Sequence, residues 1–353
     1  MKNTNPKADG APPLRAAIVS EGQLRASVLT VLPQVLRELG QDPGQMLREA
    51  GVDAGLLDDP ENTLPFRAVG ALLEHCVART GCRHLGFLIG QRSRISMLGV
   101  VGLLVEHSPD VGTALHSLVQ HLHLHDRGAI PTFAVGDSSA MLGYVIYEKE
   151  VPAPDQIYAA SLTVACNIMR ALCGTVWNPA EVRFPFRKPG DLGPLHRYFR
   201  APLRFDADQA TLVFPATWLA RPVLGADPEI RKAAEALAAT LRGRQQGTVV
   251  AQVRRALCAL LVAGRASAHE VALAFAIHRR TLNRRLEGEG TTFRQLLDEV
   301  RLDIARQLLR NTETPVGEIA SRLAYGSASA FSRAFKRCCG STPAEWRSRY
   351  HSS

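Results

Sequence analysis

The chain has 353 residues, of which 46% are hydrophobic and 21% charged, a composition typical of globular proteins. This excludes a disordered chain, a collagen-like chain and a small disulfide-stapled protein, and the length allows two or three domains. The formal net charge is +9. Residues 228–353 hold 21 basic and 11 acidic side chains and carry +10, whereas residues 1–227 sum to −1. A basic segment joined to a nearly neutral one indicates a part that binds a polyanion and a part with another role.

The seven cysteines form no Cys-x-x-Cys pair and no spacing typical of zinc sites. Residues 1–13 are polar and lack the apolar core of a secretory signal. The longest apolar stretch, residues 95–105, is about half as long as the roughly 20 residues that a bilayer span requires. These features favour a reduced, cytoplasmic protein without a membrane segment.

The first two thirds of the chain mix helical and strand patterns. Residues 1–22 are expected to form a flexible tail, and apolar residues then recur at helical spacing from Gln23 to Gly40. A helix is predicted over 111–124, with Ser108 as its cap, and another over 156–173. Further segments are predicted as helices at 43–50, 65–80 and 84–90, as a hairpin at 132–135 and 141–147, and as strands at 182–184, 203–205 and 211–214. Residues 23–222 are therefore expected to form one α+β domain.

Beyond residue 222 the pattern becomes entirely helical. Residues 223–249 are predicted to form a linker helix region, and residues 250–349 an all-α domain. Within this domain, residues 270–277 (EVALAFAI) match residues 318–325 (EIASRLAY), 48 positions further on. Each copy precedes a second helix with arginines on its polar face. The repeat predicts two helix-turn-helix units, at 268–287 and 316–339.

Each predicted unit has an apolar face and a polar face on its second helix. Leu282 and Leu286, like Phe331 and Phe335, are expected to face the core, which leaves the opposite face free to enter a DNA major groove. Arginine can bind guanine and asparagine can bind adenine through paired hydrogen bonds. The serines, Lys336 and Arg337 are expected to contact phosphates instead. The predicted DNA-binding residues are Arg279, Arg280, Thr281, Asn283 and Arg284 in the first unit and Ser327, Ser329, Ser332, Arg333, Lys336 and Arg337 in the second.

A continuous helix is predicted between the units, over residues 293–309. Such a helix would hold the two recognition helices apart by about one turn of DNA, roughly 34 Å, so that both could enter successive major grooves. Arg285 and Arg301 are interpreted as partners in ion pairs within the domain.

The segments 270–286, 289–293 and 319–343, with the tail 340–347, resemble the AraC/XylS family of transcriptional regulators. The resemblance implies a DNA-binding domain over about 250–349 that often activates transcription through contact with RNA polymerase. This sequence has Ala276 and Ala324 where the family commonly has glycine, and we expect a small cost in strain. Gly326 replaces a serine or acid, so the second recognition helix is expected to start without a side-chain cap.

Residues 23–222 more loosely resemble the N-terminal effector domain of one subfamily, of the type called arabinose-binding. The resemblance rests on residues 98–103, 182–185, 198–199 and 203–205. It implies a sensor for a small molecule, but the name of the domain does not predict a sugar.

His116, His121, His123 and His125 form the one group that suggests a metal. On a strand, the last three would share a face; on a helix, only His121 and His125 would do so. The competing interpretation is a structural or ligand-lining role, and the candidate ligand-binding residues are His121, His125, Tyr144 and Tyr158.

No P-loop, Gly-x-Ser-x-Gly or His-Glu-x-x-His motif occurs in the sequence. We therefore predict no catalytic residue, cofactor or metal, and no enzyme activity. The alternative is a metal- or redox-sensing regulator, or an enzyme-like domain, that uses His116, His121 and His125 or the pair Cys166 and Cys173.

The sequence thus predicts an α+β N-terminal sensor domain followed by an all-α double helix-turn-helix DNA-binding domain. The predicted function is an effector-responsive transcriptional activator. Its expected partners are double-stranded DNA, a small-molecule effector, RNA polymerase and a second copy of the chain.

Overall fold

The computed structural model describes residues 18–244, 247–262 and 264–351. Seven strands lie in the first domain: β1 (Gln23–Arg25), β2 (Thr63–Pro65), β3 (Ala129–Val135), β4 (Ser139–Ile146), β5 (Glu181–Arg183), β6 (Leu203–Arg204) and β7 (Ala210–Pro215). β1 and β2 form a two-stranded antiparallel sheet, and the others form a five-stranded sheet in the order β3-β4-β7-β5-β6. Pairing is antiparallel except between β5 and β6. The mixture of sheet and helices confirms the predicted α+β class.

Nine α-helices accompany these strands in residues 18–244: α1 (Leu32–Glu38), α2 (Pro43–Glu49), α3 (Phe66–Thr80), α4 (Leu85–Arg92), α5 (Val100–Glu106), α6 (Val111–His121), α7 (Pro154–Cys173), α8 (Gly193–Phe199) and α9 (Pro228–Arg244). Helix α7 is the longest, with 20 residues, and packs against α4 through two glycines. A Cβ atom on Gly86 would lie 2.0 Å from the backbone oxygen of Gln156, so only glycine allows this approach. Helix α6 is capped by Asp110, which accepts a hydrogen bond from the Thr113 amide, and not by Ser108 as predicted.

The start of the first domain differs from the sequence prediction. Residues 23–25 form strand β1, and the helix begins only at Leu32. Val19 is fully buried, and the Gly22 amide donates to the Arg127 carbonyl. Residues 18–22 are therefore packed onto the domain, although we expected them in the tail; the rest of that tail, residues 1–17, lies outside the described residues.

The predicted linker region also contributes to the core of the first domain. Helix α9 packs against α5, and its Ala234, Ala238 and Leu241 are buried in the same apolar cluster as the domain's other helices. This helix is therefore part of the first domain rather than a linker between two domains.

The remaining helices are α10 (Val249–Val262), α11 (Ala268–Ala274), α12 (Arg279–Gly288), α13 (Phe293–Asn311), α14 (Val316–Arg322), α15 (Ala328–Cys339) and α16 (Pro343–His351). They enclose two apolar cores, one around Leu282 and Leu286 and one around Phe331 and Phe335. Helix α13 supplies Leu296 and Val300 to the first core and Leu308 and Leu309 to the second. It therefore fixes the two units relative to each other.

The two domains contact each other through α10, α13, α14 and the segment between α13 and α14. Tyr147 of the first domain is buried in the core of the first helix-turn-helix unit. The Arg187 guanidinium lies 2.8 Å from Glu313, and Arg322 pairs with Asp208. Among the described residues, no helix has the length and apolar character needed to cross a bilayer.

Candidate nucleic-acid interface and ligand cavity

The first predicted recognition helix, α12, begins with a histidine cap. The side chain of His278 accepts a hydrogen bond from the Arg280 amide at 3.2 Å. Leu282 and Leu286 are fully buried beneath the helix, as the sequence predicted. Before the helix, Ala276 adopts a left-handed backbone with φ of 51°. This turn joins α11 to α12, and the burial of Leu282 and Leu286 leaves the polar face of α12 outward.

The second predicted recognition helix, α15, repeats this arrangement. Ala324 has φ of 55°, and Phe331 and Phe335 are buried. We expected Gly326 to open this helix without a cap, and that expectation is wrong. Ser327 caps it, because the Ser327 hydroxyl accepts a hydrogen bond from the Ala330 amide at 3.1 Å.

All predicted DNA-binding side chains lie at the surface. Eight of them are exposed, whereas Thr281, Asn283 and Ser332 are half-buried. Within the described part of the chain, no carboxylate lies within 4.0 Å of the six cations of this set. These cations are Arg279, Arg280, Arg284, Arg333, Lys336 and Arg337. Unpaired cations on two exposed helices form a surface suited to a polyanion.

Other arginines of the same domain serve its own structure. Arg254 pairs with Asp303 at 3.2 Å. Arg301 lies 3.7 Å from Asp298 and donates to the Ala324 carbonyl at 3.3 Å, which supports the left-handed turn. The structural role expected for Arg301 is therefore present, whereas Arg285 is exposed and, among the described residues, has no carboxylate within 4.0 Å. His269 and His278 line the same polar groove as the arginines of α12 and were missed by sequence reasoning, which followed charge and repeat pattern.

A cavity of about 140 Å³ lies in the first domain. Its walls come from helices α3, α6 and α7, from strands β3 and β4, and from residues around β1. Most lining side chains are apolar, and the polar ones include His125, Asp126 and Tyr144. Two of the four candidate ligand-binding residues, His125 and Tyr144, therefore line one cavity.

The polar groups at this cavity differ in whether they have hydrogen-bond partners. Asp126 accepts hydrogen bonds from the amides of Gly128 and Ala129 and from the Tyr144 hydroxyl. Burial raises the pKa of the Asp126 carboxyl to about 6. His125 is 2% exposed, and among the described residues neither of its ring nitrogens has a hydrogen-bond partner. Burial, helped by the charge of Arg25, lowers the pKa of His125 to about 3, so its imidazole is neutral.

The other two ligand candidates lie elsewhere. His121 is buried, and its Nδ1 atom lies 2.9 Å from the Ser117 carbonyl oxygen. The charges of Arg231 and Arg242 on α9 act on its imidazole. The Tyr158 hydroxyl lies 3.4 Å from Gln307 Oε1 on α13, at the contact between the domains. Neither residue lines the cavity.

The histidine cluster is dispersed. His116 is exposed, and His123 lies with Arg127 and Arg255 in a separate groove. Across residues 18–244, 247–262 and 264–351, no group of three or more His, Cys, Asp or Glu side chains is arranged to hold a metal ion. Helix α6 ends at His121, so His121 and His125 do not share a helical face as the helical interpretation required.

The cysteine pair on α7 is poorly suited to redox sensing. Cys166 is fully buried and Cys173 half-buried. Burial raises the pKa of each thiol to about 11, so little reactive thiolate forms at neutral pH.

Comparison with known proteins agrees with this two-part architecture. Residues 40–223 match the family described as the arabinose-binding domain of AraC transcription regulator, N-terminal, and residues 271–349 match a helix-turn-helix domain family. The fold and its exposed pair of helix-turn-helix units thus define a transcriptional regulator with an arabinose-binding-type domain. The chain belongs to the AraC family of transcriptional regulators.

Two similar proteins extend over nearly the whole chain. The HTH-type transcriptional regulator VirS of Mycobacterium tuberculosis is 25% identical, over 92% of this chain and 96% of its own length. The ornithine utilization regulator of Pseudomonas aeruginosa is 28% identical, over 90% and 94%. The crystal structure of transcriptional regulator CdpR from Pseudomonas aeruginosa has a TM-score of 0.44 at 26% identity, over 88% of this chain and 97% of the other. The names of VirS and of the ornithine utilization regulator, like the family description matched by residues 40–223, describe transcriptional regulators rather than enzymes.

Proposed function

We propose that this regulator reads two successive major grooves of DNA with helices α12 and α15. The observation that carries the proposal is the set of unpaired cations on both helices, above apolar faces that anchor each helix in its own core. Helix α13 belongs to both cores, so the two recognition helices are presented as one rigid body. Arg284 and Arg333 are the candidate base readers, whereas Lys336 and Arg337 contact phosphates.

An effector bound in the first domain controls how helices α12 and α15 bind DNA. Helix α7 lines the cavity with Ile157 and Ser161 and contacts α13 through Tyr158, which lies between them in sequence. Gln307 of α13 also donates to the Ile146 carbonyl of β4 at 3.2 Å. A ligand that favours one position of α7 would therefore favour one position of α13. The coupling equals the difference in ligand affinity between the two arrangements.

Activation of transcription, contact with RNA polymerase and pairing with a second copy complete the proposal. Their support is the family to which the chain belongs. Two chains on repeated sites would gain affinity from effective concentration, because the second contact becomes intramolecular.

The test is DNA binding by Arg284→Ala and Arg333→Ala, measured by fluorescence anisotropy on a selected target and on random DNA. Each substitution should weaken target binding by about 1–3 kcal/mol while changing random binding much less. Arg285→Ala is the matched control, since Arg285 is an exposed neighbour on α12 outside the predicted set. Equal losses on both DNAs would make the residue a phosphate contact, and no loss for either variant would refute the proposed reading surface.

A further inference from the structure

The cavity of the first domain has a shape and polarity that restrict its ligand. Its volume is about 140 Å³, and an engineered apolar cavity of roughly 150 Å³ holds one benzene molecule. The walls are contributed mainly by apolar side chains, among them Phe66, Leu118 and Ile168. The space therefore suits a molecule of about one aromatic ring.

His125 marks the point at which such a ligand would be recognised. Its side chain is almost fully buried, lines the cavity and, within the described residues, makes no hydrogen bond through either ring nitrogen. A buried polar group left in this condition costs free energy unless a partner is supplied. The other buried polar groups of the cavity are satisfied: the Ser93 hydroxyl donates to the Ile89 carbonyl, and Asp126 accepts three hydrogen bonds.

The charges around the site disfavour an ionised ligand. A carboxylate would be buried near Asp126, so it would meet like charge in a medium of low dielectric constant. An ammonium group would lose its hydration in this mainly apolar cavity, and the Asp126 carboxylate that could offset this loss already accepts three hydrogen bonds. A neutral imidazole has one donor and one acceptor nitrogen, and a hydroxyl group can pair with either.

We propose that the cavity binds an uncharged, ring-sized apolar molecule whose hydroxyl group forms a hydrogen bond with His125. The inference rests on the proposed function for its regulatory meaning, because a ligand of this kind would be the effector. As a site of binding it stands on the cavity and on His125 alone.

The experiment is a ligand-observed NMR titration of the full chain with phenol, toluene and benzoate. Phenol should bind about tenfold more tightly than toluene, because the hydroxyl satisfies His125. Benzoate should bind least. A preference for benzoate, or equal binding of phenol and toluene, would overturn the proposed ligand class.

Three variants assign the binding to this site. His125→Leu should abolish the preference for phenol over toluene. His121→Leu is the matched control, because His121 is also a buried histidine but does not line the cavity, and it should leave phenol binding unchanged. Ala165→Leu should weaken both ligands by filling the cavity. If His125→Leu does not fold, the order of the three ligands' affinities for the wild-type chain and the effect of Ala165→Leu still test the proposal. Phenol binding that Ala165→Leu leaves unchanged would overturn the site.

DNA affinity measured with and without phenol separates the two proposals. Binding of phenol without any change in DNA affinity would support the cavity site and contradict effector control. Intact DNA binding by a chain that does not bind phenol would contradict the cavity site alone.

Discussion

Acid should destabilise the first domain, and His125 should account for a large part of the effect. The pKa of His125 falls from 6.5 to about 3 on folding, so the folded state binds fewer protons than the unfolded state between these values. The contribution of His125 to the free energy of unfolding is therefore fully present above pH 6.5 and is lost as the pH falls from 6.5 toward 3. Between pH 8 and pH 5 this one residue should remove about 2 kcal/mol from the free energy of unfolding.

Two neighbours change the total in opposite directions. Burial, with the charge of Arg255, lowers the pKa of His123 to about 4, which adds a loss of about 2 kcal/mol over the same range. Asp126 has its pKa raised to about 6 and binds more protons when folded, so acid should restore about 1 kcal/mol. The net loss expected from these three residues is about 3 kcal/mol.

The assay is urea unfolding of the full chain at pH 8 and pH 5, followed by tryptophan fluorescence. Substitution of Trp346 by phenylalanine leaves Trp177 and Trp218, both in the first domain, as reporters. His125→Gln should reduce the acid-induced loss by about 2 kcal/mol, whereas Asp126→Asn should increase it by about 1 kcal/mol. A His125→Gln variant with the wild-type pH dependence would refute the reasoning, because His125 would then titrate as freely in the fold as in the unfolded chain.

Three further substitutions test the packing that positions the sites. Ala324→Gly should stabilise the second helix-turn-helix unit by about 0.5–1 kcal/mol, because the relief of left-handed backbone strain exceeds the entropy that glycine loses on folding. Unfolding followed by Trp346 fluorescence would measure the change. Destabilisation would contradict the strained turn. Phe335→Ala should cost about 3–5 kcal/mol by the same readout, because the ring is 1% exposed and packs 5.8 Å from the Trp346 ring; a cost below 1 kcal/mol would argue against this core. Gly86→Ala should destabilise the first domain by at least about 1–3 kcal/mol, because the added Cβ atom would clash with the backbone of α7. A Cβ atom at Gly317 would meet open space, so Gly317→Ala should be neutral or stabilising. Equal unfolding midpoints for the two variants would contradict the close approach of α4 to α7.

The second domain could be predicted from sequence because its signals are local. The repeat at 270–277 and 318–325 fixed two units, and the helical period placed Leu282, Leu286, Phe331 and Phe335 inward, where all four are buried. The error at Gly326 was also local: the cap is the next residue, Ser327, and the helix begins at Ala328. Caps are sensitive to such shifts of one or two residues.

The first domain was harder to predict because its decisive contacts are distant in sequence. Gln23 pairs with Pro65, some forty residues away, and this pairing overrode the helical period at the start of the domain. The sequence of residues 121–125 does not indicate which histidine lines the cavity, because that depends on where α6 ends. The hairpin of β3 and β4 was predicted correctly, because its two strands are joined by a short turn whose residues favour reversal.

The proposed effector control requires a contact between the domains that a ligand can shift. Its ion pairs, such as Arg187 with Glu313 and Lys149 with Glu299, are partly exposed and each contributes at most about 1 kcal/mol. The buried ring of Tyr147 adds apolar contact with the first helix-turn-helix unit. Allosteric coupling is typically worth about 1–3 kcal/mol, which is comparable to a few such contacts. These contacts lie on α10, α13, the segment after α13 and α14. Under the proposed effector control, a small displacement of α7 or β4 would therefore act on elements that hold both recognition helices. The apolar cores beneath those helices would change less, because loss of one buried ring there is expected to cost about 3–5 kcal/mol.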